Sequence, residues 1–137
     1  MAHFDLAALP KCREALLKSQ EMREALLPAT SVYRGSIYQN IGNVDNAEGY
    51  YDLAILNYEK TLEILKFHDA EVLGSAAASA SELSLEARRH LHTTGIVHLN
   101  KGRASIGAKK YADAAKSLDI YQEFAKRADS EFTIGYL

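Results

Sequence analysis

At 137 residues the chain is about one domain, long enough to bury a core and short for two. Its 47% hydrophobic and 25% charged composition excludes wholesale disorder, and 16 basic against 18 acidic residues, a net charge of −2, give no electrostatic case for nucleic acid or an anionic membrane. The lone Cys12 excludes an internal disulfide or a cysteine zinc site within one chain, which fits a reducing compartment.

The opening MAHFDLAALPKCREALL has neither a basic leader region nor a sustained apolar stretch, and no apolar run reaches membrane length, so the expected location is cytoplasmic. Over residues 11–27, helical spacing puts Cys12, Ala15, Leu16, Met22, Ala25, Leu26 and Leu27 on one apolar side, and Pro28 ends that first helix. Thr30 or Ser31 caps a second helix carrying Tyr33, Ile37, Tyr38, Ile41 and Val44 at three- and four-residue steps, closed by the turn chemistry of DNAEG. YYDLAILNYEKTLEILKF forms a third, with Leu53, Ala54, Ile55, Tyr58, Leu62 and Leu65 apolar and Glu59 and Glu63 outward.

GSAAASASELS reads either as a flexible connection or as a weak helical extension. Ser79 and Glu82 have capping-box spacing, which predicts a fourth helix starting there and running to about Ala108. A fifth follows through Tyr111, Ala114, Ala115, Leu118, Tyr121 and Phe124, and Gly135 argues against a long final helix in the tail DSEFTIGYL. No strand is predicted, so the class is all-α. The expected organisation is a single domain: an N-terminal helix (1–29), a first hairpin (30–68), a connection (69–81), a second hairpin (82–128) and a tail (129–137).

The two hairpins repeat each other. Gly42 and Gly102, Tyr51 and Tyr111, and Ala54 and Ala114 superimpose at one offset of 60, with Tyr58 over Leu118. Glycine inside a helix costs on the order of 1 kcal/mol relative to alanine. Its recurrence together with Ala54 and Ala114 therefore predicts a close crossing of two antiparallel helices, with Tyr51 and Tyr111 filling the space beside the turn.

Tyr38, Ile41 and Gly42 in YQNIG, followed by Ala54 and Tyr58 in AILNY, resemble the tetratricopeptide repeat (TPR); Gly102, Tyr111, Ala114 and Leu118 carry a weaker second copy. The resemblance covers residues 31–66 and 90–128. Lys66 and Lys126 stand where the family closes with proline, and the offset of 60 exceeds its usual period of 34, so either the helices are longer or an extra helical piece intervenes. The resemblance implies antiparallel hairpins stacked as a short right-handed superhelix, with the first helix of each pair lining a concave groove for a peptide or protein partner. Carried over residue by residue, that groove presents Gln39, Asn40, Asn43 and Asn46 from the first copy and Leu99, Asn100, Arg103 and Ile106 from the second. Asparagine amides can bond an extended backbone from both sides, and Arg103 can clamp a carboxylate. Gln39 and Leu99 occupy places where family members that clamp acidic C-termini carry basic residues, which argues against that specificity.

The function implied is a non-catalytic adaptor for protein partners, without cofactor, metal, nucleic acid or membrane. His90 and His92 are two apart, on different sides of a helix, and His98 lies two turns on, so no convergent metal set is predicted. No phosphate loop or serine elbow is present. The rival reading is a structural subunit that self-associates through its first helix and the Tyr136–Leu137 tail, because two repeats fall short of the three or so that bury a continuous core.

Overall fold

In a computed structural model of the chain, residues 8–73 and 84–136 are described, those from 129 onward by their backbone alone. They form α-helices α1 (Leu9–Leu26), α2 (Val32–Ala47), α3 (Tyr51–Leu73), α4 (Leu85–Gly107) and α5 (Tyr111–Tyr136), with no strand among the described residues. The chain is all-α. None of these helices is long and apolar enough to cross a membrane.

Local chemistry sets the helix ends. Pro10 sits in the first turn of α1, where its missing N–H is not needed. Ser31 Oγ accepts from the Tyr33 N–H at 3.2 Å and Ser84 Oγ from the Ala87 N–H at 3.1 Å, capping α2 and α4. The start of α4 at Leu85 corrects the one expected from Ser79 and Glu82, which lie outside the described residues, as does most of the GSAAASASELS segment. A second correction concerns the tail: α5 runs on through Gly135 to Tyr136. A single glycine in the last turn costs on the order of 1 kcal/mol, which a long helix absorbs. α3 also passes the expected boundary at 68, and α3 and α4 have 23 residues each, so lengthened helices account for much of the wide offset.

Consecutive helices pack antiparallel, and α2 also approaches α4. The turns that close the α2–α3 and α4–α5 hairpins match bond for bond at the offset of 60. The N–H groups of Glu48, Gly49 and Tyr50 donate to the carbonyls of Val44, Asn46 and Asp45 at 3.0, 3.1 and 2.8 Å; those of Ala108, Lys109 and Lys110 donate to Ala104, Ile106 and Ser105 at 2.9, 2.9 and 2.8 Å. Each turn needs a left-handed residue, Gly49 at φ 86° in one and Lys109 at φ 63° in the other. A side chain there costs about 1 kcal/mol that glycine avoids. Lys109→Gly is therefore expected to stabilise the protein by about 0.5–1 kcal/mol, seen as a higher urea midpoint at unchanged slope.

Inside the hairpins the glycines mark the crossings. A Cβ on Gly42 would stand 2.8 Å from Tyr58 Cε1, and one on Gly102 3.0 Å from Leu118 Cδ2. Gly35 faces Ile64 and Gly95 faces Phe124 in the same register, a second pair of crossings not singled out from the sequence. Two apolar clusters result: Ile37, Tyr38, Ile41 and Ile64 with Leu16 packed on them, and Ala54, Tyr58, Leu65, Val97 and Ala104 with Ile55 and Leu62. Leu53, Tyr33, Tyr111, Met22 and Leu26, expected on apolar faces, are exposed instead. For Met22 and Leu26 the reason is that α1 packs chiefly on α2, so more than half of its circumference is open.

A polar clasp ties α1 to the first hairpin. Asp45, 1% exposed, stands 2.7 Å from Arg13 Nη2 and accepts from Asn57 Nδ2 at 2.8 Å, so α1, α2 and α3 meet at one carboxylate. Arg13 also reaches Glu48 Oε2 at 3.2 Å, and its guanidinium lies 5.7 Å from the Tyr50 ring centroid. Tyr51, next to Tyr50 in the chain, lays its ring against Gly107 of α4.

Candidate functional site: two faces of the helical stack

The residues expected to bind a partner lie on α2 and α4, two helices that approach each other. Asn40, Arg103 and Ile106 are exposed, while Gln39, Asn43, Asn46, Leu99 and Asn100 are half-buried. Asn43 is already engaged, because its Oδ1 accepts from Tyr58 Oη at 2.6 Å. Burial raises the Tyr58 phenol above its ordinary pKa, with the charge of Asp45 adding to the rise and that of Arg103 opposing it. Arg103 thus acts electrostatically on the Tyr58–Asn43 pair as well as facing solvent.

The other face was not anticipated from the sequence. Between α3 and α5, with α4 as floor, runs a groove formed of two clefts. The larger, about 430 Å³, is lined by Leu62, Glu63, Lys66 and Asp69 of α3, by Thr94 and His98 of α4, and by Phe124 of α5. The smaller, about 240 Å³, is lined by Ile55 of α3, Ser105 of α4, Lys110 at the turn, and Asp113, Lys116, Ser117 and Ile120 of α5. Glu59 and Lys101 line both, and their ion pair at 3.7 Å marks the boundary between them.

The groove is open because of what the repeat changes at its floor. At the offset of 60, Thr94, His98 and Ser105 stand where the first hairpin has Arg34, Tyr38 and Asp45. Those three fill their own space: Tyr38 is 7% exposed, Arg34 Nη2 donates to its Oη at 3.1 Å, the Lys60 ammonium lies 5.4 Å from its ring centroid, and Asp45 holds the clasp. In the second hairpin the Thr94 and Ser105 hydroxyls turn back on their own helix, donating at 2.8 Å to the carbonyls of His90 and Lys101. His98 stacks on Phe124 at a centroid distance of 5.8 Å.

Burial, and secondarily the charge of Lys101, lower the His98 pKa below the usual 6.5, and its Nδ1 is buried with no hydrogen-bond partner among the described residues. The unfolded chain therefore binds a proton as pH falls through about 6.5 while the folded chain resists it, so stability is lost on acidification. His98→Gln is expected to flatten this part of the pH–stability profile, and the imidazole resonances of His98 are expected to titrate below the usual 6.5.

At the far end of the larger cleft, His90 Nε2 stands 2.6 Å from Asp69 Oδ1 with the histidine side chain 7% exposed, an interhelical pair that histidine spacing alone does not disclose. Among the described residues no group of three or more His, Cys, Asp and Glu is placed to hold a metal ion. Cys12 is half-buried and free. No family model, curated protein or solved structure matches the chain.

Proposed function

We propose that this protein is a non-catalytic, cytoplasmic interaction module of TPR-like build, a short right-handed stack of antiparallel hairpins that binds a polypeptide segment of a partner in the groove floored by α4. The observation that carries this reading is the unequal filling of two otherwise matched hairpins. Turns and glycine crossings repeat at the offset of 60, yet the floor residues that fill the first hairpin are replaced by short ones in the second. A cleft of about 430 Å³ falls in the range of ligand-binding pockets.

The test is to select peptides from a random twelve-residue library on the wild-type protein and measure them on two variants. Thr94→Arg/His98→Tyr places the first hairpin's own side chains in the second groove and is expected to weaken binding at least tenfold. Asn40→Ala/Arg103→Ala alters the α2/α4 face and is expected to leave it unchanged. The opposite pattern would move the site to the asparagine face and end the groove assignment.

Self-association is the second reading, favoured by Leu26, Met22 and Tyr33, which are 77%, 62% and 64% exposed near one end of the stack. The Tyr136 and Leu137 side chains invoked with it lie outside the described residues. It predicts a concentration-dependent molar mass that Met22→Lys/Leu26→Glu returns to the 15.1 kDa of one chain.

A further inference from the structure

The pseudo-symmetry also bears on what the groove receives, an inference that rests on the groove reading above. We propose that the anchor of the bound segment is an aromatic side chain, seated between Leu62 and Phe124 above His98.

The first hairpin supplies the template. Its equivalent space holds a tyrosine ring, Tyr38, packed with Ile41, Ile64 and Leu16 and overlaid by the Lys60 ammonium. The second hairpin keeps an apolar floor in Val97 where the first has Ile37, puts Lys101 at the place of Ile41 and Ile120 at that of Lys60, and removes the tyrosine ring. Phe124 replaces Ile64, Leu62 provides an aliphatic wall, and Lys66 and Lys101 put ammonium groups on the lining. At the same time Tyr38 becomes His98 and Arg34 becomes Thr94, which shortens both floor side chains. An incoming ring meets the stacked Phe124 and His98 rings, whose planes lie 17° apart, and an aromatic pair in offset or edge contact gains more than its buried area alone supplies, which an aliphatic side chain does not. Lysine near a ring face adds cation–π attraction, as Lys60 does for Tyr38.

Charge does not select a different anchor. Glu59 and Lys101 offset each other, Asp69 is held by His90, and Glu63 and Lys66 are of opposite sign, so the larger cleft has no strong net charge for an acidic or basic head to complement.

The probes are N-acetyl-tyrosinamide and N-acetyl-leucinamide, titrated into the isotopically labelled full chain and followed by amide and imidazole resonances. Tyrosinamide is expected to give saturable shifts at Thr94, His98 and Phe124, with about fivefold weaker binding by leucinamide, the ratio that an aromatic contact of ordinary strength supplies. Thr94→Arg/His98→Tyr is expected to abolish the shifts. Leu62→Trp, which covers the cleft from the α3 wall, gives a second blocked form should the double variant not fold. Equal binding of the two amides overturns the proposal, and so do tyrosinamide shifts that persist in a blocked variant. Library peptides that lose binding on the filled variant yet carry no aromatic residue overturn the aromatic anchor and leave the groove standing; peptides unaffected by filling overturn both.

Discussion

Asp45→Ala is expected to destabilise the protein by about 2–3 kcal/mol, a fall of about 6–12 °C in Tm for a chain of this size. The carboxylate is 1% exposed and serves three helices: it belongs to α2, faces Arg13 of α1 at 2.7 Å and accepts from Asn57 of α3 at 2.8 Å. Deleting it leaves the Asn57 amide without its acceptor and removes the buried partner of Arg13. Breaking a fully buried ion pair costs about 3–5 kcal/mol, but the Arg13 side chain is 26% exposed and retains Glu48, so solvent and the second carboxylate recover part of the loss. Arg13→Ala should cost less than Asp45→Ala, and the double variant should show a favourable coupling of about 1–2 kcal/mol. Because the clasp fastens α1, hydrogen exchange along α1 should accelerate more than exchange in α4 when Asp45 is removed. Uniform acceleration over both helices would mean that the clasp is part of the global core rather than the fastening of one helix.

That carboxylate also illustrates what could be read in the chain and what could not. Helical period, cap chemistry and the glycine at a helical position follow from local rules, so the hairpins, the DNAEG turn and a close crossing at Gly42 were legible in advance, but not that Tyr58 is the side chain over that glycine. The partnership of Arg13 with Asp45 was not, because nothing in a 3.6-residue period says which polar residues two neighbouring helices bring together. The apolar side of α1 was misread for a related reason. Met22 and Leu26 sit at helical spacing, but burial depends on how many neighbours a helix has, and α1 packs chiefly on one. The groove was hidden in a different way. Thr94, His98 and Ser105 carry no pattern of their own and gain meaning only against Arg34, Tyr38 and Asp45, once matched turns establish that the positions correspond in space. The asparagine face was drawn from a family resemblance, and its residues are divided between exposed Asn40 and Arg103 and an Asn43 already bonded to Tyr58.

Gly42→Ala is expected to cost a net 1–2 kcal/mol even though alanine is the better helix former. The substitution gains about 1 kcal/mol of helix propensity and loses about 2–3 kcal/mol to overpacking, because the new methyl would stand 2.8 Å from Tyr58 Cε1. Tyr58 cannot retreat easily: its side chain is fully buried and its hydroxyl is fixed on Asn43 at 2.6 Å. Gly102→Ala meets a softer neighbour, since Leu118 is half-buried and aliphatic, so its net effect should lie within about 1 kcal/mol of zero. The repeat then supplies its own rescue. Tyr58→Leu makes the first crossing resemble the second; alone it should cost about 2–3 kcal/mol through the lost ring volume and hydrogen bond. In the Gly42→Ala/Tyr58→Leu double variant the methyl occupies part of the space the ring vacates, and the total loss should fall short of the sum of the two by about 1–2 kcal/mol. Thermal and urea unfolding of the four proteins measure that coupling directly. Strict additivity would mean that the methyl and the ring do not compete for the same volume, and that glycine at this crossing answers to something other than the aromatic above it.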